Sequence, residues 1–131
     1  MATEDITRLT FSDRNFDFVW CSHVLEHVPD DQIAMRELRR VLTDDGLCVV
    51  QVPIWRRTTY EDPAIVAPEA RLEAFGQKDH VRLYGFDIET RLISAGFGVE
   101  QVITRDFDLQ TIGHFGLNHV SSSELYLCSR H

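Results

Sequence analysis

Two segments of the chain are almost continuously apolar, and they predict the central strands of a sheet. In the first, Phe16–Ser22, Asp17 is the one charged residue, and in the second, Leu47–Val52, Gln51 is the one polar residue. A strand with apolar residues at neighbouring positions is covered on both faces, which is typical of a parallel sheet. Both segments are therefore predicted to lie inside a sheet.

The segment between these strands has the pattern of an amphipathic helix. Apolar residues recur at helical spacing over residues 30–42, and Asp30 and Asp31 place carboxylates at the start, where the helix dipole favours negative charge. Gly46 follows as the turn residue. Strand, helix and strand together predict a βαβ unit, whose crossover is right-handed in almost all proteins.

The later part of the chain predicts one more helix and two more strands. Residues 86–95 have a helical pattern that stops at Gly96. Alternating residues at Val99–Thr104 predict a strand near the sheet edge, and Glu124–Ser129 predicts the last strand. Residues 106–122 are predicted to be irregular.

The connection from Ile54 to Gly85 is long for a compact domain, and Glu69–Phe75 within it has the pattern of a short helix. Long connections of this kind are commonly functional. At 131 residues the chain is predicted to form a single domain over residues 1–131.

Charge and cysteine content exclude several classes of partner. The net charge of −8 disfavours nucleic acid, which is bound through clustered Lys and Arg. The sequence has neither a membrane-length apolar run nor a secretory signal. Cys21, Cys48 and Cys128 lie in apolar runs without paired spacing, which predicts buried, reduced thiols and a cytoplasmic location.

Several short motifs run from Asp5 to about Val99. They are Asp5-Ile6-Thr7 with Leu9 and Phe11, then Phe16 through Val28, Arg36 through Leu42 with Gly46, and Phe75-Gly76-Gln77 with Asp79 through Arg82 and Tyr84-Gly85. Together they resemble the later part of a class I S-adenosylmethionine-dependent methyltransferase of the type 11 family. The resemblance implies an α/β, truncated Rossmann-like fold, with a four-stranded mixed sheet and helices mainly on one face.

The resemblance also indicates the cofactor, S-adenosylmethionine, and the residues on its side of the fold. These are Asp5, Ile6, Cys21, Ser22 and His23, provided that the pocket is completed. Nucleotide-type folds grip their cofactor through a glycine-rich loop and an acidic residue on the ribose. Here the first glycine is Gly46, so the lone chain is expected to bind the cofactor weakly or not at all.

Candidate catalytic groups are few. His80 and Tyr84, near Asp79 and Arg82, form the best cluster for a general base, with a structural ion-pair role as the alternative. No metal site is predicted.

The nearest alternative is metal binding by His23 and His27 at positions i and i+4 of a helix, together with Glu26. The order His-x-x-Glu-His differs, however, from the His-Glu-x-x-His order of zinc proteases. The residues therefore favour a loop histidine and a helix-start histidine that belong to the methyltransferase pattern.

If the strands follow the family topology, one sheet face and the edge of Phe16–Ser22 are left uncovered. Two copies paired through a patch of roughly 500–600 Å² each would gain up to about 28 kcal/mol gross at ~25 cal/mol per Å². Association costs about 4–15 kcal/mol. A homodimer through the bare face or the edge strand is therefore predicted, with a separate chain carrying the missing half as the alternative.

Three functions follow from these observations. The first is a dimeric binding or regulatory remnant of a methyltransferase that neither binds cofactor nor catalyses alone. The second is a methyltransferase subunit that becomes active when a partner chain or dimer completes it. The third is a small metal- or His-dependent enzyme. The methyl acceptor is not predicted.

Overall fold

The computed structural model describes residues 5–56, 58–103 and 124–130. Within these ranges the strands are β1 (Phe16–Ser22), β2 (Leu42–Gln51), β3 (Ile54–Arg56), β4 (Tyr60–Glu61), β5 (Arg82–Gly85), β6 (Gly98–Ile103) and β7 (Glu124–Ser129). The helices are α1 (Asp31–Val41), α2 (Pro68–Phe75) and α3 (Ile88–Ser94), and a single 3-10 turn spans Leu25–His27.

The main sheet has four strands in the order β1-β2-β7-β6, which confirms the predicted four-stranded mixed sheet. β1 and β2 are parallel, with Cys21 opposite Val50, whereas β7 runs antiparallel to both β2 and β6. β1 and β6 are therefore the edge strands. The predicted edge position of Val99–Thr104 is confirmed for its described part.

One face of this sheet carries the main core. Cys48 and Val50 of β2 point into it, where they meet Met35 and Leu38 of α1 and Leu92 of α3. The two helices lie together on this face because each has one apolar side to bury. The predicted arrangement, with helices mainly on one face, is confirmed.

The opposite face of the main sheet exposes less apolar surface than the sequence predicts. Val49 and Leu125 are each only 5% exposed there and form a second, smaller cluster. Exposure is concentrated on β1, where Phe18 is 55% exposed and Trp20 is 42% exposed. Among the described residues of this face, the exposed apolar surface thus lies mainly on the edge strand β1.

A second sheet of three strands, β3-β5-β4, was not predicted. It is tied to the main core by Arg82, whose guanidinium is buried and donates to the carbonyls of Leu25 and Val28, both at 2.6 Å. The amide of Val81 also donates to the carbonyl of Glu26 at 2.8 Å. These bonds hold the second sheet over the carboxyl ends of β1 and β2.

Element boundaries follow the sequence closely, apart from the turn before β2. The structure ends α1 at Val41, and Leu42 already pairs with Phe16 before residues 43–46 interrupt the register. A Cβ on Gly46 would lie 2.8 Å from the Leu42 side chain, so close packing explains this glycine. By contrast, Gly96 ends α3 with a positive φ of 108°, as the pattern predicts.

Two further predictions concern the thiols and the irregular segment. All three cysteines are free and buried, as predicted. Residues 106–122 lie outside the described residues. No helix among the described residues is long and apolar enough to span a bilayer.

Candidate functional site

The carboxyl ends of β1 and β2 meet at one edge of the sheet, where open α/β folds bind their ligands. The Ser22 hydroxyl donates to the Gln51 side-chain oxygen at 2.8 Å, and the His23 amide donates to the Gln51 carbonyl at 2.8 Å. His23 has a φ of 56°, which is uncommon for a residue other than glycine. The chain therefore turns sharply at His23 and enters the 3-10 turn.

Glu26 lies in that turn and is the least expected residue of the site. Its side chain is 3% exposed, and neither carboxylate oxygen accepts a hydrogen bond from any other described residue. Burial raises the pKa of Glu26, an effect that His27, the residue's own backbone amide and Arg82 only partly offset. A buried carboxylate without hydrogen bonds is costly, so it points to a role beyond packing.

His27 and His80 lie beside this carboxylate. The two imidazole rings pack edge to face with centroids 4.5 Å apart, and His27 Nε2 is 3.4 Å from Glu26 Oε1. Partial burial and the neighbouring His27 lower the pKa of His80, so its neutral form predominates near pH 7. A neutral imidazole can accept a proton or bind a metal ion.

A cavity of about 360 Å³ lies beside β1, an edge strand of the main sheet. Its walls are apolar and include Ile6 and Cys21, two of the predicted cofactor-side residues, together with the exposed Phe18 and Trp20. Burial raises the pKa of Cys21 to about 12, so this thiol is an unreactive part of the wall. We call this space the β1 cavity.

Asp5 begins the described chain near this cavity. Its carboxylate accepts hydrogen bonds from the Thr7 hydroxyl at 2.6 Å and the Thr7 amide at 2.9 Å, and these bonds lower its pKa. Asp5 therefore carries a negative charge at neutral pH on an exposed turn. Together, Asp5 and the cavity wall fit only part of a nucleotide-type cofactor site, because the residues that line the cavity include no glycine to allow close backbone approach.

The structure separates the environments of the two candidate bases. His80 is partly buried beside His27, whereas Tyr84 is 1% exposed and its hydroxyl donates to Asp31 at 2.7 Å. Burial, followed by the negative charge of Asp31, raises the pKa of Tyr84 well above its usual value. Tyr84 is thus a protonated hydrogen-bond donor at neutral pH, and its catalytic role stays a prediction.

Sequence reasoning considered Glu26 only as a companion of His23 and His27. Among the described residues, the group of metal-binding side chains whose ligand atoms lie within 4.8 Å of one another comprises Glu26, His27 and His80, without His23. The helical i, i+4 argument fails because residues 25–27 form a 3-10 turn rather than an α-helix. The Asp79-His80 motif was the sequence signal that could have indicated His80 as the third residue of this group.

Comparison with known proteins agrees with this architecture. Residues 1–50 match the sequence model of the family described as a methyltransferase domain. The 2-methyl-6-phytyl-1,4-hydroquinone methyltransferase of Synechocystis is 28% identical over 120 residues, which cover 85% of this chain and 35% of that protein. The chain thus spans about a third of the length of this curated relative.

Solved methyltransferase structures share the fold. One is a Haloferax volcanii methyltransferase in complex with the Trm112 methyltransferase activator, with a TM-score of 0.59 and 15% identity over 96% of this chain and 59% of that chain. Another is Haemonchus contortus phosphoethanolamine N-methyltransferase 2 with phosphomonomethylethanolamine and S-adenosylhomocysteine, with a TM-score of 0.58 and 13% identity over 96% and 36% of the two chains.

The fold is therefore that of the Rossmann-like methyltransferases. Residues 1–50 match the methyltransferase-domain family and the solved neighbours share the fold, in agreement with the resemblance stated from the motifs.

Proposed function

We propose that this 131-residue chain is a binding module built from part of an S-adenosylmethionine-dependent methyltransferase, which pairs with a second copy and does not catalyse alone. The observation that carries the proposal is the uncovered edge strand β1 with the apolar β1 cavity beside it. The buried, reduced cysteines support a cytoplasmic setting.

Among the described residues, β1 pairs with a strand on one side only, and such an edge is suited to pairing with a second copy. An edge strand presents unpaired backbone groups, and it adds a strand readily when apolar side chains flank it. Phe18 and Trp20 provide such side chains at 55% and 42% exposure. Fully burying one large apolar side chain contributes about 1.5–3 kcal/mol, so covering the exposed parts of both residues on each chain favours pairing, and backbone hydrogen bonds between the two edges add to it.

The proposal that the chain alone does not bind the cofactor tightly rests on the lining of the β1 cavity. Ile6 and Cys21 supply an apolar wall, and Asp5 supplies a charged carboxylate nearby. The residues that line this cavity include no glycine whose backbone could approach a ligand closely. Tight cofactor binding by the chain alone is therefore not expected.

A second candidate function is a methyltransferase subunit that is completed by another chain. The β1 cavity favours it, because a further strand paired with β1 would close the cavity beside Ile6 and Cys21. The Haloferax methyltransferase bound to an activator is a relative in fold that works with a protein partner.

Sedimentation velocity tests the pairing. We expect a dimer at micromolar concentration for the wild-type chain and a monomer for Phe18→Ser. Phe86→Ser is the matched control, because Phe86 is similarly exposed, at 47%, but follows β5 of the second sheet. The proposed pairing would be overturned if the wild-type chain were a monomer, or if Phe18→Ser dimerised as tightly as the wild type.

Calorimetric titration with S-adenosylhomocysteine tests the cofactor part. Absence of binding at about millimolar ligand, corresponding to less than about 4 kcal/mol of binding free energy, supports the binding module. Micromolar binding by the dimer would contradict it and would show that pairing completes a cofactor pocket.

A further inference from the structure

We propose that Glu26, His27 and His80 form a binding site for a divalent transition-metal ion of the zinc class. The site lies at the carboxyl end of β1, beside but separate from the β1 cavity. It does not depend on cofactor binding or on the dimer.

The ligand types agree with zinc. Two imidazoles and one carboxylate form a known set for open zinc sites, in which the fourth position is left to water or substrate. Magnesium and calcium prefer oxygen ligands, so the two histidines select against them. The site opens to solvent on the side of His27, whose side chain is 36% exposed, and this provides an entry path.

The spacing also agrees with zinc. Two ligand atoms that each lie 2.0–2.1 Å from a tetrahedral zinc ion are about 3.3 Å apart. His27 Nε2 and Glu26 Oε1 are 3.4 Å apart, and the ligand atoms of all three residues lie within 4.8 Å of one another.

The hydrogen bonding of His27 further supports the site. Its Nδ1 lies 3.1 Å from the carbonyl oxygen of Asp79 and 3.4 Å from Asp79 Oδ2. Histidines that bind metal commonly donate their other ring N–H to a carbonyl or carboxylate, which orients the ring. Asp79 therefore orients His27 so that Nε2 faces Glu26.

The strongest observation is the carboxylate of Glu26. It is buried, lies in one cluster with both histidines and accepts no hydrogen bond from any other described residue. A bound metal ion would satisfy its lone pairs more fully than the 3.4 Å contact with His27 does.

Equilibrium dialysis of the full chain with Zn²⁺ tests the proposal. We expect one ion per chain, and affinity about 10- to 100-fold weaker in His80→Ala and in Glu26→Gln, since losing even a supporting partner of a ligand has an effect of this size. Glu73→Gln is the control, because Glu73 is an exposed glutamate on α2, and its affinity should equal that of the wild type. Substitution with Co²⁺ should give the visible absorption of a tetrahedral site, which His80→Ala should lose.

Two results would overturn the site. One is zinc binding that is unchanged in both Glu26→Gln and His80→Ala. The other is loss of binding in His23→Ala with full binding in His80→Ala, which would indicate the His23 and His27 pair instead. Circular dichroism of each variant shows whether it remains folded, and Glu26→Gln keeps the shape of the side chain if His80→Ala does not fold.

Discussion

At the scale of single residues, buried polar side chains govern the interior around the second sheet. Asp31 is 4% exposed and accepts hydrogen bonds from the Tyr84 hydroxyl at 2.7 Å and from Arg91 Nη1 at 2.8 Å. Glu61 accepts from Arg82 at 2.8 Å and from Arg91 at 2.6 Å. Charges that are paired in this way stabilise the fold only while all partners remain.

Removing one donor from Asp31 should lower stability. We expect Tyr84→Phe to lose about 1.5–3 kcal/mol of unfolding free energy, because a hydrogen bond to a charged group is lost inside the core. Urea denaturation at pH 7 measures this change. A loss below about 0.5 kcal/mol would mean that Arg91 alone satisfies Asp31.

Glu61 should make stability depend on acidic pH. Partial burial would raise the pKa of Glu61, but hydrogen bonds from Arg91 and Arg82 outweigh it and lower that pKa below the ordinary value of 4.5. As pH falls, the unfolded chain takes up the proton first, so this stabilisation is present above the unfolded pKa and is lost as pH falls through the folded pKa. The stability difference between the wild type and Glu61→Gln should therefore shrink in acid.

Chemical denaturation at a series of pH values from neutral to about pH 3 measures that difference. Glu69→Gln is the control, because Glu69 is an exposed residue of the first turn of α2. A difference in unfolding free energy between the wild type and Glu61→Gln that stays constant at all pH values would contradict the prediction.

At the scale of elements, short local signals determine where helices begin and end. α1 starts after Asp30, whose Oδ1 accepts from the Ile33 amide at 3.1 Å, and α2 ends at Gly76, which has a φ of 81°. Both are standard terminal devices, a side-chain cap at the start and a left-handed residue at the end. These caps explain why the helix boundaries could be predicted from the sequence.

The cap of α1 is testable by itself. Asp30→Ala should lower the free energy of unfolding by about 1 kcal/mol, because the Ile33 amide loses its acceptor. Asp30→Ser retains a capping oxygen and should remain close to the wild type. Urea denaturation compares the three proteins, and equal losses in both variants would show that the cap is not what stabilises this end.

At the scale of the whole molecule, one residue links the two sheets. Arg82 on β5 is buried and donates to the carbonyls of Leu25, Val28 and Pro29, and also to Glu61. These bonds fix the second sheet against the 3-10 turn, so Arg82 also positions the segment that contains His80. A guanidinium presents five N–H donors in a planar fork that reaches all four acceptors, whereas an ammonium group has three donors on a single nitrogen.

Arg82→Lys should therefore be poorly tolerated despite retaining the charge. We expect a loss of at least about 2 kcal/mol, since each buried carbonyl left without a partner costs about 1–3 kcal/mol. Thermal unfolding measures the loss. Arg71→Lys is the matched control, because Arg71 of α2 donates to the single carbonyl of Ile65 at 3.2 Å, and it should change little. Equal effects of the two variants would argue against the linking role.

Much of the fold could be predicted because its signals are local. The apolar runs Phe16–Ser22 and Leu47–Val52 identified β1 and the main part of β2, and Gly96 marked the end of α3. The second sheet was missed because β3 and β4 have only 3 and 2 residues, too few to show a period. The single-domain organisation over residues 1–131 and the cofactor-side residues stay predictions.

The sequence by itself determined the helices, the strands of the main sheet, their order and the resemblance to methyltransferases, because apolar periodicity, caps and contiguous motifs depend on neighbouring residues. Only the tertiary structure decided which distant side chains meet. It placed His80 against Glu26 and His27, more than fifty positions earlier in the chain, and it left Phe18 and Trp20 exposed on the edge strand β1. Such contacts depend on how the second sheet packs over the strand ends, and that packing follows from buried partners such as Arg82 rather than from any local pattern.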